Sequence, residues 1–186
     1  QECDIPIQSF FSPSIFKQSP LHNSRDFRKK YFPTITAKQW NDWHWQISNC
    51  ISKPEQLNYF LTLSSEEQAA ISQFTSELPV SITPYYMSLL DKELPEHPLR
   101  RAVVPTIHEM FKLPCEENDP LGEESQSPLP GLVHRYPDRV LLLVIDFCAT
   151  YCRYCTRSRI IGKDSIHPGK SRLEKAIEYI RDTPMI

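Results

Sequence analysis

The sequence predicts an α/β fold: a mainly helical region over residues 1 to about 130, followed over 131–186 by a strand, a loop and a helix. Three observations predict it. Apolar residues recur at helical spacing behind capping signals through the first two thirds of the chain. Val140 to Ile145 then forms a continuous apolar run, as expected of a strand covered on both faces in a parallel sheet. A second helical repeat follows, separated from that strand by a loop rich in cysteine.

In chain order, "TAKQWNDWHWQISNCI" places Trp40, Trp43, Ile47, Cys50 and Ile51 at helical spacing with Thr36 as N-cap, so these tryptophans are expected in the core. "SSEEQAAISQFTSEL" opens on a capping box of Ser64 and Glu67 and sets Ala70, Phe74 and Leu78 along one face. Thr83 and Pro84 take the cap and first-turn positions of another helix. Residues 115–130, "CEENDPLGEESQSPLP", are acidic, rich in Pro and Ser and poor in anything to bury, which predicts a loop or linker. "GLVHRYPDRVLLLVIDF" gives two extended runs about a turn at Pro137-Asp138. "SRLEKAIEYIRDTP" starts with Ser171 and Glu174 as a capping box, repeats Leu173, Ala176, Ile177 and Ile180 at helical period, and ends before Pro184.

Composition narrows the function. With 186 residues, 40% of them hydrophobic, the chain can bury the core of one medium domain or a domain with an appendage. The 21 basic residues balance 23 acidic ones, so no global field draws nucleic acid or an anionic membrane, and no base-stacking platform accompanies the arginines. No apolar run approaches the roughly 18 residues of a spanning helix, and the N-terminal "QECDIPIQSF" lacks a signal-peptide pattern. A soluble, cytoplasmic protein is expected. The chain starts with Gln and stops at "DTPMI", which suggests a piece of a longer polypeptide.

Of six cysteines, Cys3, Cys50 and Cys115 are scattered, whereas Cys148, Cys152 and Cys155 fall within eight residues just after the apolar strand. In a reduced compartment this crowding points to metal chemistry before disulfides. Structural zinc wants four ligands, usually as two separated pairs. Three thiolates on one loop suit an iron-sulfur cube whose fourth iron stays open to a ligand that is not protein. A zinc loop completed by a distant Cys or His is the alternative. The site would lie at the C-terminal end of a strand, where α/β folds and barrels place ligands.

The C-x3-C-x2-C spacing, with Tyr154 just before the last cysteine, resembles that of radical S-adenosylmethionine enzymes. More closely, "ITPYYMSLLDKELPEHPLRRAVVPT" (82–106), "DPLGEESQSPLPGLVHRYPDRVLLLVIDFCATYCRYCTRSR" (119–159) and "EKAIEYIRDTP" (174–184) resemble the lysine 2,3-aminomutase family. The resemblance runs from about residue 25 onward and implies the N-terminal part of such an enzyme, with the start of a partial (βα)6 barrel. It implies a 4Fe-4S cluster on Cys148, Cys152 and Cys155, S-adenosylmethionine, and pyridoxal phosphate. The reaction implied moves an amino group from C2 to C3 of an α-amino acid by way of a pyridoxal phosphate imine and a 5′-deoxyadenosyl radical. Arg157, two places past the third cysteine, would hold the substrate carboxylate through bidentate hydrogen bonds. Arg135, Tyr136 and Arg139 of "HRYPDR" would line the pyridoxal phosphate pocket, and Tyr154 would contact cofactor. A small-molecule amino acid substrate and a homo-oligomer are expected, with neither nucleic acid nor membrane as partner.

Other polar residues carry less. Arg153 and Arg159 are expected to be solvated or structurally paired, Asp146 to hydrogen-bond loop backbone, and His44, His108 and His134 to be core or surface residues. Tyr154 stands where many relatives have His, and Ser158 where they commonly have Arg. The glycine-rich S-adenosylmethionine motif, the pyridoxal phosphate lysine and any zinc cysteines of the family would fall beyond residue 186, so this chain alone is expected to be inactive. Two further readings stay open: another radical S-adenosylmethionine enzyme, including one that modifies a protein lysine, and an inactive or structural metal-binding module.

Overall fold

Capping chemistry decides where the helices begin. The computed structural model describes residues 20–73, 78–111, 114, 116–117, 119–145, 147–158, 160–161 and 170–186. Helix α1 (Pro20–Tyr31) leads into α2 (Ala37–Trp40), where the Thr36 hydroxyl accepts from Gln39 N at 3.2 Å and Gln39 Oε1 accepts from Thr36 N at 3.1 Å. The single helix expected over 36–51 is broken. Asp42 accepts from His44 N at 2.9 Å and caps a second helix, α3 (Trp43–Ser48). A short acidic side chain competes for backbone N–H groups, so it restarts the helix and shifts its face. The shift corrects the expectation for one tryptophan: Trp40 is buried, but Trp43 is 61% exposed.

A 3-10 turn at Pro54–Gln56 feeds α4 (Leu57–Phe60). The predicted capping box starts α5 (Ser65–Ser72), with Ser64 N donating to Glu67 Oε2 at 2.7 Å. Ala70 is buried on it, while Leu78 is buried beyond its end and not on the same helix. Thr83 caps α6 (Pro84–Met87), as the Thr-Pro pair predicts, and α7 (Pro98–Arg101) again starts on proline. The main core sits in this helical region, where Leu57, Val80, Ile82, Met87, Val103 and Val104 are at most 2% exposed. Phe27, Tyr31 and Phe32 pack against it from α1 and the residue after it, with Phe27 and Phe60 stacked at 5.7 Å.

Arg100 lies inside this region at 0% exposure. Its guanidinium donates to Glu67 Oε1 at 2.9 Å and Oε2 at 2.6 Å, to Asp91 O at 3.1 Å, to Lys92 O at 2.9 Å and to Thr62 O at 2.7 Å. That uses every N–H of the fork, which makes a buried charge tolerable.

Strands β1 (Leu132–Tyr136) and β2 (Arg139–Leu142) form an antiparallel hairpin about Pro137-Asp138. The expected parallel strand over 140–145 is therefore corrected. A tight two-residue connection can only return the chain antiparallel, since a parallel neighbour needs a crossover. Among the described residues β2 pairs with β1 alone, and Val144 and Ile145 are 58% and 54% exposed beyond the strand. Helix α8 (Lys170–Arg181) packs on the hairpin: Tyr179 Oη lies 2.7 Å from His134 Nδ1, and Arg172 Nη2 donates to Leu143 O at 2.8 Å. Ser171 falls inside α8 and so is not its N-cap. Ala176 is buried on its inner side, whereas Leu173 and Ile177 are 38% and 45% exposed. The expectations for Cys3, Phe74, Cys115, Asp146 and Arg159 lie outside the described residues. No helix among the described residues is long and apolar enough to cross a membrane.

Candidate metal centre

The cysteine loop is held by backbone. Ile51 and Ile82 exchange hydrogen bonds at 2.8 and 3.1 Å, and Ile82 in turn bridges to Thr150, so the loop extends a small antiparallel patch of the scaffold. Tyr151 N donates to Ser81 O and Arg153 N to Ala102 O, each at 2.8 Å. Arg153 reinforces this with its side chain, only 6% exposed. Its Nε donates to both Glu109 oxygens at 3.0 and 3.1 Å, and its Nη1 to the carbonyls of Leu78 at 3.2 Å and Pro79 at 3.3 Å. The structural pairing expected for Arg153 is what the geometry has.

On the loop fixed this way, Cys148 is exposed and Cys152 and Cys155 are half-buried, all three as free thiols. Burial pushes the Cys148 thiol up, and the negative charge of Cys155 and then Cys152 adds to the shift, so the thiols feel one another. Loading a metal must therefore displace protons. Arg157 N lies 3.4 Å from Cys155 Sγ and donates to it, a contact of the kind that tunes an iron-sulfur ligand. Cys50 comes near the loop, its thiol 3.8 Å from Ala149 O, with burial pushing its pKa up. Among the described residues, no three His, Cys, Asp or Glu side chains form a group able to hold a metal ion. The donor set still fits an iron-sulfur group chemically: three soft sulfur donors, a backbone N–H on one of them, and nearby cationic charge.

Arg157, 27% exposed, sets Nη2 at 3.7 Å from Glu123 Oε1, while its buried Nη1 has no partner among the described residues. Arg135, Tyr136 and Arg139 come together at the tip of the hairpin. Both guanidinium groups lie over the Tyr136 ring, at 5.9 and 5.4 Å, and all three side chains are exposed. Arg135 donates to Leu121 O at 3.0 Å, and Arg139 forms a fork on Asp138 with two contacts of 2.9 Å. Tyr154 is 75% exposed and, with Arg153, lines a cavity of about 430 Å³ shared with Glu66, Arg101 and His108.

Two acids escaped the sequence reading, Glu109 behind Arg153 and Glu123 beside Arg157. For Glu123 a signal existed: "DPLGEE" carries Asp, Pro and Gly at the spacing of an ordered turn.

No protein-family model matches the chain. Among curated proteins, an L-lysine 2,3-aminomutase of Fusobacterium nucleatum is 44% identical over 164 residues, 88% of this chain and 39% of that protein. An L-lysine 2,3-aminomutase of Clostridium subterminale is 44% identical over 159 residues, 86% of this chain and 38% of that protein. A glutamate 2,3-aminomutase of Clostridioides difficile is 36% identical over 151 residues, 81% of this chain and 36% of that protein. The chain thus spans about two fifths of the length of the relatives it matches.

Proposed function

We propose that this chain, which belongs over 164 of its residues to the lysine 2,3-aminomutase family, is the cluster-binding part of a radical S-adenosylmethionine amino acid 2,3-aminomutase. The observation that carries the reading is the three-cysteine loop, built on a preformed backbone ladder and followed at once by a half-buried arginine with an unused donor. In the longer polypeptide, acting as a homo-oligomer, Cys148, Cys152 and Cys155 would hold the 4Fe-4S cluster. When bound, the cluster with S-adenosylmethionine supplies an adenosyl radical, and pyridoxal phosphate anchors the amino acid through its amino group.

The chain's own residues position and exclude. The Ile82–Thr150 bridge and the Arg153 contacts tie the loop backbone to the scaffold, so the cysteines would be presented from an anchored loop. Arg157, two residues from a cluster ligand, would hold the α-carboxylate and so bring C3 within reach of the radical. Arg135 and Arg139 would offer positive charge to the pyridoxal phosphate group beside Tyr136, Arg139 by exchanging its Asp138 partner, and Tyr154 an exposed ring to cofactor. L-lysine is the first substrate to test.

The test is anaerobic reconstitution of the full-length protein with iron and sulfide analysis. About four irons and four sulfides per chain are expected, lost in each of Cys148→Ala, Cys152→Ala and Cys155→Ala. Stoichiometric zinc without sulfide would overturn the reading in favour of a structural metal loop.

A further inference from the structure

Carboxylate binding by Arg157 leaves one neighbour unexplained. Glu123 belongs to the acidic 115–130 segment, and its surroundings are built rather than slack. Asp119 accepts from Glu123 N at 3.0 Å and from Glu124 N at 2.8 Å, Gly122 N donates to Asp119 O at 3.0 Å, and Ser127 Oγ donates to Glu123 O at 2.7 Å. Gly122 takes φ +64°, a left-handed conformation that costs a glycine little, and a 3-10 turn over Glu124–Gln126 follows. Arg135 of β1 donates back to Leu121 O at 3.0 Å, tying the turn to the hairpin. The turn delivers the Glu123 carboxylate, 15% exposed, to 3.7 Å from Arg157 Nη2.

The guanidinium is planar, so a charge drawn to one terminal nitrogen, here as an ion pair at 3.7 Å, biases the direction of the other. Here that other nitrogen, Nη1, is buried and bonded to nothing among the described residues. Buried polar groups are nearly always paired, and an orphan calls for a partner. A carboxylate is the group this fork recognises best.

We propose that Glu123 is a positioning residue: it fixes the guanidinium plane of Arg157 so that Nη1 is left for the substrate carboxylate. This rests on the aminomutase reading and deepens it. A glutamate so close to an anion site also lowers the local positive charge, and affinity measures which of the two effects dominates. If orientation dominates, removing the charge of Glu123 weakens carboxylate ligands specifically. If Glu123 instead competes for Arg157, removing it strengthens them.

The experiment compares full-length, reconstituted wild type with Glu123→Gln, Arg157→Ala and the double variant by equilibrium dialysis, which reads binding without turnover. The probes are L-lysine, L-glutamate, and 1,5-diaminopentane, which is L-lysine without its carboxylate. Glu123→Gln should weaken L-lysine about tenfold while leaving the diamine within about twofold. It should have no further effect in the Arg157→Ala background, where the residue it acts through is gone. Equal losses for L-lysine and the diamine would reduce Glu123 to a folding role, and unchanged or tighter L-lysine binding would make it a bystander or competitor. Each of those overturns the inference alone. Wild type that carries the cluster yet binds neither amino acid overturns the aminomutase reading, and this inference with it.

Discussion

Trp40 and Trp43 lie three residues apart and meet opposite surroundings. Trp40 is 5% exposed, donates from Nε1 to Ser24 Oγ at 3.0 Å, and packs among Phe27, Phe32 and Trp45. Trp43 stacks at 3.5 Å on His44, itself exposed, and is 61% exposed. Trp40→Ala should therefore cost about 3 to 5 kcal/mol through a cavity and an orphaned hydroxyl, while Trp43→Ala should stay within about 0.5 kcal/mol, as surface changes do. Denaturant melts of the two variants decide it, and equal losses would place Trp43 in an interface or core that this chain does not show. The helical period alone could not separate them, because the Asp42 cap that rotates one away from the other is a single side-chain hydrogen bond.

Helix α5 shows what a capping signal conveys and what it hides. Ser64 and Glu67 read as a reciprocal cap in the sequence, and both bonds form, at 2.7 and 3.2 Å. The same Glu67 carboxylate is also the counter-ion of buried Arg100, 33 residues away, and no local pattern announces that pairing. The two jobs differ in size. Ser64→Ala removes one exchangeable cap bond and should cost about 1 kcal/mol. Glu67→Gln leaves a fully buried guanidinium without compensating charge and should cost about 3 to 5 kcal/mol. Comparable losses in urea melts would mean that the ion pair adds little to the cap. Local signals of this kind were legible in the sequence: the starts of α2, α5 and α6, and the turn of the hairpin. Long-range partners were not, which is why Val140 to Ile145 reads as a strand covered on both faces although β2 is alternately exposed and Val144 and Ile145 lie open.

At the scale of the whole molecule, long-range contacts make the cysteine loop part of the scaffold. The spacing of Cys148, Cys152 and Cys155 is a short-range pattern, which is why the sequence alone proposes them as ligands. Their anchorage was not, since Ser81, Ala102, Leu78, Pro79 and Glu109 contribute a carbonyl or a carboxylate from 44 to 75 residues away. Arg153 gathers most of these contacts into one side chain, so it should govern how often the loop opens without governing the global fold, whose core is centred on Leu57, Ile82 and Val103. Local openings draw on fewer contacts than global unfolding and are read out separately by hydrogen exchange. In the protein prepared without added iron or sulfide, Arg153→Ala should speed exchange over residues 147–158 at least about tenfold, equivalent to about 1.4 kcal/mol of lost local stability, and leave residues 57–72 and 80–104 as protected as in wild type. Glu109→Gln, which keeps hydrogen-bonding capacity but removes the charge, should fall between the two. Faster exchange across the whole helical region would make Arg153 an ordinary core contact, and unchanged exchange in the loop would leave the backbone bridge at Ile82–Thr150 as the sufficient anchor. Either result moves the anchoring of the cysteine loop from Arg153 to other contacts.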